Sequence, residues 1–399
     1  MHWLSQGQNG TTSLDELQLD IVGFLAILGE GSVLANAQVS TLSKWIFLPR
    51  LIPAPQAMMR PTRPNRLEPF PGYVTGIVSG NHRDSINHIG NIVCDANNLD
   101  PFSVRVVKIV RDTDKSPLKA KTIAPLTVVL FIGFALSALL LALSIWQEDG
   151  MSILATVLLS LLTSLIGYGN KWTLKLPQRK NTTTRVPRGD VVIRYPKGSF
   201  LIVQCDENVA RELYFAPESI DYLLTHGPAY RILSLVGTTM LMGGVICLAN
   251  AQIQVQIAWA GSYMLLGAAY WIVAALPGKM HWDTSCYRVE NQCLSDSKMD
   301  EKGYPSKNAT FTQALWRTIV VTKNIEWITR SVACPDTPAW RQWLREAKAC
   351  SSDVMFSECE ARPGVRTWEV PDWDPQAALT ELLDEEAKKD DRREGFEEV

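Results

Sequence analysis

The chain has 399 residues, of which 46% are hydrophobic and 20% are charged, and its formal net charge at pH 7 is −2. Nothing in this balance indicates a nucleic-acid-binding protein, so we expect no nucleic-acid partner. The length suffices for a membrane bundle with one or two small soluble units. The N-terminus lacks the basic and apolar regions of a cleavable signal peptide, so the first true span is expected to direct insertion.

Residues 1–48 contain apolar side chains at helical spacing between Leu14 and Leu28. This pattern predicts an amphipathic helix that packs on a bundle or lies at a membrane interface. A fifth span over residues 21–43 is the alternative, although Glu30 would place a carboxylate near its centre.

Proline and arginine are frequent in residues 49–71, which predicts an extended linker. Its arginines would either contact anionic lipid headgroups or be simply solvated. Residues 72–121 are strand-like, above all over 102–112, where apolar residues partly alternate with charged ones.

Four stretches without a charged residue predict membrane-spanning helices, because about 20 apolar residues cross the hydrocarbon layer. They are residues 122–146, 151–169, 232–251 and 253–276. Very short turns join the first stretch to the second and the third to the fourth, so each pair is expected to form an antiparallel hairpin. None of the four contains an ionisable residue of the kind that marks ion or proton pathways, which argues against a transporter.

The basic residues predict the orientation of these spans. Lysines and arginines precede the first span, fill the loop 170–231 and follow the fourth span, whereas the two short turns contain none. The positive-inside rule therefore places both termini and the loop in the cytosol, where cysteines stay reduced. Trp146, Trp172 and Trp282 flank the spans, as aromatic anchors at a membrane interface do.

The loop between the two hairpins contains the clearest strand signal. Residues 191–195 and 200–205 are rich in β-branched and aromatic side chains and are separated by Pro-Lys-Gly, which predicts a β-hairpin. Residues 212–217 are expected to add a third strand.

The C-terminal third is expected to be helical. One helix is predicted over residues 311–329, with Lys323 in its apolar face. A second is predicted to begin near Pro338 with Asp336 or Thr337 as its cap, and it either lies at the membrane interface or packs on the soluble part. The last helix should begin at Asp374-Pro375 and run into a solvated acidic tail.

Two polar clusters supply candidate catalytic residues, and neither matches an established zinc signature. The candidates are His82, Asp84, His88, His281, Asp283 and Cys286. In the first cluster, which also contains Cys94 and Asp95, Asp84 and His88 are four residues apart and would share a helical face. The alternative interpretations are a polar loop near the membrane and a turn anchored by Trp282. We expect neither a metal ion nor a cofactor, since phosphate-loop, dinucleotide, nucleophile-elbow and metalloprotease motifs are absent from the sequence.

Two segments carry a resemblance to known proteins: RGDVVIRYPKGSFLIVQCDENVARELYFAPESIDYLL and FTQALWRTIVVTKNIEWITRSVACPDTPAWRQWLREA. They resemble a group of multi-pass membrane proteins of filamentous fungi that have no assigned reaction, over most of residues 70–350. The resemblance implies a fungal source and a membrane location. Because some of these proteins sit beside secondary-metabolite genes, it also implies an accessory role in such a pathway.

These observations predict an α-helical membrane protein with two transmembrane hairpins, a small cytosolic α+β module and C-terminal amphipathic helices. The predicted parts are residues 1–48, 49–71, 72–121, 122–169, 170–231, 232–277, 278–373 and 374–399. The expected function is that of a non-enzymatic accessory, scaffold or adaptor protein. Its expected partners are the lipid bilayer, anionic lipid headgroups and a protein bound by the cytosolic module. The alternatives are a membrane-bound enzyme acting on a lipophilic substrate at the cytosolic interface and a small-molecule transporter.

Overall fold

The computed structural model describes residues 30–94, 96, 99–112, 114–115, 118–176, 186–296, 310–352, 354, 356–358 and 365–397. The chain divides into two compact units, each built from three segments. The helical unit consists of Met1–Asn65, Leu118–Lys175 and Ser219–Asp283. The sheet unit consists of Arg66–Pro117, Leu176–Glu218 and Thr284–Val399.

The α-helices among the described residues are, in chain order, α1 (Glu30–Ser40), α2 (His88–Cys94), α3 (Pro125–Trp146), α4 (Gly150–Asn170), α5 (Glu207–Ala210), α6 (Gly227–Ala249), α7 (Ile253–Ala274), α8 (Phe311–Thr322), α9 (Glu326–Arg330), α10 (Pro338–Ser351) and α11 (Pro375–Glu397). Short 3₁₀ turns occupy Lys44–Phe47, Pro55–Met58 and Gly278–Met280, and a π turn, Arg211–Phe215, continues α5.

The β-strands are, in the same order, β1 (Phe70–Gly76), β2 (His82–Ile86), β3 (Val104–Arg111), β4 (Lys119–Ala120), β5 (Trp172–Lys175), β6 (Val191–Arg194), β7 (Phe200–Gln204), β8 (Ser219–Tyr222), β9 (Trp282–Asp283), β10 (Tyr287–Asp296), β11 (Phe356–Glu358) and β12 (Arg366–Val370). In the helical unit, β4 pairs with β9 and β5 pairs with β8.

Helices α3, α4, α6 and α7 are long and apolar enough to cross a membrane, with 22, 21, 23 and 22 residues. The prediction of four such helices is confirmed. The carboxylate of Asp149 links the two turns that join these helices in pairs. Its Oδ1 accepts from the backbone N–H groups of Met151 and Ser152 and caps α4, while its Oδ2 accepts from the backbone N–H of Gln252 at 2.8 Å.

The segment that follows α1 is not the extended linker that its prolines and arginines predicted. Leu51, Ile52 and Ala57 are buried in the core that α3, α4, α6 and α7 share. This burial is possible because backbone groups of the segment find hydrogen-bond partners on those helices. Residues 1–29, which contain most of the predicted N-terminal helix and part of the alternative span, lie outside the described residues. Helix α1, which follows them, packs in the core of the helical unit.

An eight-stranded mixed sheet forms the centre of the sheet unit, in the order β11-β12-β10-β3-β7-β6-β1-β2. The pairs β3–β7 and β10–β12 are parallel, and the others are antiparallel. The predicted strand over 102–112 is confirmed as β3, and the predicted hairpin as β6 and β7. The third strand predicted at residues 212–217 is wrong, since α5 and the π turn occupy this stretch.

On one face of the sheet, helix α8 packs on β3, β7 and β12, and helices α10 and α11 pack on α8. The predicted helix over 311–329 breaks at Lys323, which adopts a left-handed conformation (φ 53°) and donates from Nζ to the Val354 carbonyl at 2.6 Å. Helix α10 begins at Pro338 as predicted, and of the two predicted caps the structure has Thr337, whose side chain accepts from the backbone N–H of Trp340. Of the two alternatives for this helix, the structure has the packed one, because Trp343 is buried and its Nε1 donates to the Pro375 carbonyl at 2.8 Å.

Candidate functional sites

The first polar cluster begins with a chain of hydrogen bonds on the hairpin of β1 and β2. Thr75 and His82 face each other across the two strands, and Asp84 follows His82 on the same face of β2. The Thr75 hydroxyl lies 2.9 Å from His82 Nδ1, and His82 Nε2 lies 3.0 Å from Asp84 Oδ1. The ring of Tyr73 stacks beside the imidazole, with the ring centroids 6.1 Å apart. A hydroxyl, an imidazole and a carboxylate are therefore connected in series.

This order of groups is the one by which hydrolytic triads activate a hydroxyl nucleophile. Two features limit its chemistry here. Thr75 is only 1% exposed, so its hydroxyl does not face a substrate in solution, whereas Asp84 at the other end is exposed. In addition, β2 is the edge strand of the sheet, so these hydrogen bonds stabilise the pairing of β2 with its neighbour β1.

His88 lies outside the hairpin of β1 and β2 that carries these hydrogen bonds. The prediction that Asp84 and His88 share a helical face is wrong, because Asp84 belongs to strand β2 and His88 is the first residue of α2. His88 Nδ1 lies 3.1 Å from the Glu68 carbonyl oxygen, and its ring stacks on Phe70 at 5.4 Å. Burial lowers the pKa of His88 and favours the neutral imidazole.

Glu218 caps the helix that His88 begins, and it was not among the predicted site residues. Its carboxylate accepts from the backbone N–H groups of His88 at 3.1 Å and Ile89 at 2.7 Å. Burial raises its pKa to about 7, although these two N–H donors and the nearby Arg83 act in the opposite direction. No local signal in the sequence indicated this residue, because a chain segment distant in sequence supplies the cap.

Arg83 binds the backbone at the end of the π turn, close to the start of α2. Its Nη1 donates to the Asn87 side-chain oxygen at 2.7 Å and to the Tyr214 carbonyl at 3.1 Å. The carbonyls of Phe215 and Ala216 lie within 3.5 Å of the same atom. These carbonyls end the π turn and would otherwise lack partners within it, so Arg83 serves as its C-terminal cap.

Cys94 ends α2 in the interior of the sheet unit. Its Sγ lies 3.2 Å from the hydroxyl of Tyr214, and both side chains are buried. Burial raises the pKa of Tyr214 and that of the neighbouring Cys205, so the Tyr214 phenol and the Cys205 thiol remain protonated at neutral pH. Asp95, the other member of the predicted cluster, lies outside the described residues.

The second polar cluster is divided between the two units. His281 and Asp283 belong to the helical unit, and Cys286 belongs to the sheet unit. The side chain of His281 is buried beside the last turn of α7, and the backbone carbonyl of His281 accepts from the backbone N–H of Lys121 at 3.0 Å. Asp283 lies on β9 opposite Lys119.

Cys286 is buried in the sheet unit, and its carbonyl accepts from the backbone N–H of Asp112 at 2.8 Å. Within the part of the chain that the structure describes, no three His, Cys, Asp or Glu side chains are grouped to bind a metal ion. The interface-anchor prediction holds for neither Trp172 nor Trp282, since both are buried and meet edge to face at 6.4 Å, whereas Trp146 is exposed.

A charged side chain inside the helical unit was also missed by the sequence reasoning. Arg50, assigned to the linker, is 1% exposed, and its Nη1 donates to the carbonyls of Ile46 at 2.9 Å and Leu48 at 3.3 Å. The guanidinium also hydrogen-bonds the side chain of Tyr270 in α7. No local feature of the sequence indicated this burial, because proline-rich flanks usually indicate exposed chain.

Comparisons of the chain with models of known protein families, with curated proteins and with solved structures give no match.

Proposed function

We propose that this chain is a multi-pass membrane protein that acts as a non-enzymatic accessory or scaffold protein. Helices α3, α4, α6 and α7 anchor it in the bilayer, and the sheet unit binds a protein partner in the cytosol. The observation that carries this proposal is the set of large apolar side chains that these helices expose. It includes Phe131, Phe134, Leu139, Leu154, Leu161, Ile232, Leu235, Ile246, Met264, Leu265, Trp271 and Ile272. Exposed apolar surface on this scale is unfavourable in water and suits lipid.

The distribution of charge supports a cytosolic location for the ends where the hairpins begin and finish. Lys121 precedes α3, Lys171 follows α4, Arg231 lies in the second turn of α6 and Lys279 follows α7. The turns at the opposite ends contain no lysine or arginine. Basic residues are retained on the cytosolic side, where each also gains about 1 kcal/mol beside anionic headgroups.

The contacts of the candidate site residues support a non-enzymatic role. His88, Cys94, His281 and Cys286 are engaged in packing, capping or backbone hydrogen bonds, and these roles account for their positions without a reaction. The sequence resemblance favours a more specific form of this proposal. In that form the protein has an accessory role in a fungal secondary-metabolite pathway, and its partner is a cytosolic protein.

Glycosylation mapping tests the proposal. Acceptor-bearing loops inserted after Glu148 and after Ala251 should be glycosylated, and an acceptor loop inserted within residues 176–186 should not. The native sequons at Asn9, Asn181 and Asn308 should remain unmodified, and alkaline carbonate should not extract the protein from membranes. Glycosylation at Asn181 or Asn308 would instead place the sheet unit in the lumen, and release by carbonate would refute membrane integration.

A membrane-bound hydrolase is the second candidate, and the series formed by Thr75, His82 and Asp84 is the observation that favours it. A fluorophosphonate probe in native membranes tests this candidate, because such probes modify activated hydroxyl groups. We expect no labelling at Thr75. Ser85→Ala, on the opposite face of β2, is the control. Labelling that disappears in His82→Ala but persists in Ser85→Ala would favour the hydrolase over the scaffold.

A further inference from the structure

We infer that residues 41–65 enter the membrane as a re-entrant segment, reverse direction at Ala54 near the middle of the bilayer, and return to the side from which they came. The inference rests on the proposed function, because it requires that α3, α4, α6 and α7 span the membrane. The segment contacts those helices at successive depths, because a rise of about 1.5 Å per residue converts the sequence position of each contact into depth.

The way in is marked by contacts with α4. The carbonyl of Ile46 packs against Gly167, three residues before the last residue of the helix, where an added Cβ would lie 2.5 Å from the carbonyl oxygen. The backbone N–H of Arg50 donates to the Thr163 hydroxyl at 3.1 Å, one further turn into the helix. These partners lie about 4 and about 10 Å from the helix end.

The deepest contacts are made with α3 and α7. The backbone N–H of Leu51 donates to the Gly133 carbonyl at 3.1 Å, and Gly133 lies eight residues, or about 12 Å, from the start of α3. The backbone N–H of Ala54 donates to the hydroxyl of Tyr263. Tyr263 is at the midpoint of α7, which is about 33 Å long.

The way out ends where the segment began. The carbonyl of Met58 accepts from the side chain of Asn170, the last residue of α4, at 3.0 Å. Arg63 donates to the Gly169 carbonyl at 2.6 Å, and its guanidinium lies 4.0 Å above the ring of Tyr230, near the start of α6. Entry and exit are thus at the same ends of the four helices.

The chemistry of the segment suits this position. In hydrocarbon, non-helical backbone is tolerated only when other protein groups satisfy its N–H and C=O groups. Pro49, Pro53 and Pro55 prevent a helix and carry no N–H that would need a partner. Ala54 lies between two of them in the left-handed conformation (φ 47°), which reverses the chain.

Arg50 is compatible with this depth because its side chain points back towards the entry. Its guanidinium binds the carbonyl of Ile46, which lies at the level of Gly167, and the side chain of Tyr270, four residues from the end of α7. The charge therefore lies closer to the headgroups than the Arg50 backbone does, as expected of a long basic side chain near a membrane surface.

The 3₁₀ turn Lys44–Phe47 is the part of the segment that would contact lipid. Trp45 is 46% exposed and Phe47 is 43% exposed, and the Trp45 ring packs at 5.7 Å against Phe131, which is itself exposed on α3. An exposed tryptophan beside a lysine is typical of the boundary between headgroups and acyl chains. The turn therefore presents its aromatic side chains to phospholipid acyl chains.

Photolabelling of the full-length protein in vesicles tests the inference. The probe is a phosphatidylcholine with a photoactivatable diazirine in its acyl chain, and the adducts are located by mass spectrometry. Adducts on Trp45 and Phe47 together with Phe131, and none on the exposed Thr62, would support the re-entrant segment. Adducts on Phe131 alone would overturn it while leaving the spans intact. Absence of adducts from Phe131 as well would overturn both the inference and the proposed spans.

A pair of glycine variants tests whether the segment is held at this depth. In Gly133→Ala the new methyl group would lie 2.6 Å from the Leu51 carbonyl oxygen, whereas Gly261→Ala meets no atom within 4 Å. Overpacking of this kind loosens the contact, so the backbone amides of Arg50, Leu51 and Ala54 should exchange with deuterium about tenfold faster in Gly133→Ala than in Gly261→Ala. Unchanged exchange in both variants would contradict the packing of the segment between the helices.

Discussion

At the scale of single residues, charged side chains in this protein hold the ends of secondary-structure elements together. Glu218 caps the start of α2 and Arg83 caps the end of the π turn, and both satisfy polar backbone groups that the element itself leaves unpaired. Lys323, at the end of α8, instead donates to the Val354 carbonyl, which follows α10. Sequence spacing does not reveal such partners, because they are brought together only by the packing of distant segments.

Glu218 should make the stability of the sheet unit depend on pH. Its pKa is about 7 in the folded protein and 4.5 in a free carboxyl group, so the folded state holds the proton more tightly. Between these values the unfolded chain ionises first, and the free energy of unfolding falls as the pH rises, by about 1.4 kcal/mol per pH unit. The expected loss between pH 4.5 and pH 7 is roughly 3 kcal/mol.

The matched variant is Glu218→Gln, which keeps the shape of the side chain and one acceptor oxygen. Denaturant unfolding of the full-length protein, followed by hydrogen exchange in residues 86–94, should show the decline in the native protein and its absence in the variant. His88 contributes with the opposite sign, because its folded pKa is lowered and its effect therefore increases stability as the pH rises. The difference between the two proteins isolates the carboxyl group, and parallel pH profiles would contradict the assignment.

At the scale of elements, the strands with the clearest pattern were predicted and the contact-dependent segments were not. Residues 191–205 carry two β-rich runs around a Pro-Lys-Gly turn, and they form β6 and β7 as predicted. Residues 212–217 contain strand-forming side chains as well, yet Glu212, Leu213 and Tyr214 are all buried in the π turn. Burial does not distinguish the two outcomes, because Val191, Val192 and Ile193 are also buried in succession in strand β6.

The segment after α1 was missed for a related reason. Proline and arginine predict exposed chain because most proline-rich segments lack apolar partners. Here Thr163, Gly133 and Tyr263, which belong to three different helices, supply the partners. The candidate sites show the same division: the sequence identified His82 and Asp84 as polar candidates, but only strand pairing placed Thr75 beside them.

At the scale of the whole molecule, each unit is assembled from three segments that alternate along the chain. The third segment of the sheet unit contributes β10, which pairs with β3. It also contributes helix α8, which packs on one face of the sheet, and the helices α10 and α11, which pack on α8. The sheet unit is therefore incomplete until the last third of the chain is present, whereas the helical unit is complete at Asp283.

Truncation after Asp283 should separate the two units. We expect the shortened protein to remain resistant to alkaline extraction from membranes, because all segments of the helical unit are retained. Residues 66–117 should become sensitive to limited proteolysis, because β3 loses its antiparallel partner and one sheet face loses its cover. A protein truncated after residue 389 is the control and should keep the native cleavage pattern. Protection of residues 66–117 in the shorter protein would contradict the interleaved assembly.

The sequence by itself determined the four membrane-length helices, the central β-hairpin and the starts of α10 and α11. These features depend on local apolar runs, turn residues and capping side chains, which the chain carries wherever it folds. Only the tertiary structure decided the burial of Arg50, the course of residues 41–65, the cap at Glu218 and the neighbours of His82. Those features depend on partners that are distant in sequence, and a hydrogen bond between distant segments leaves no periodic signal in either of them.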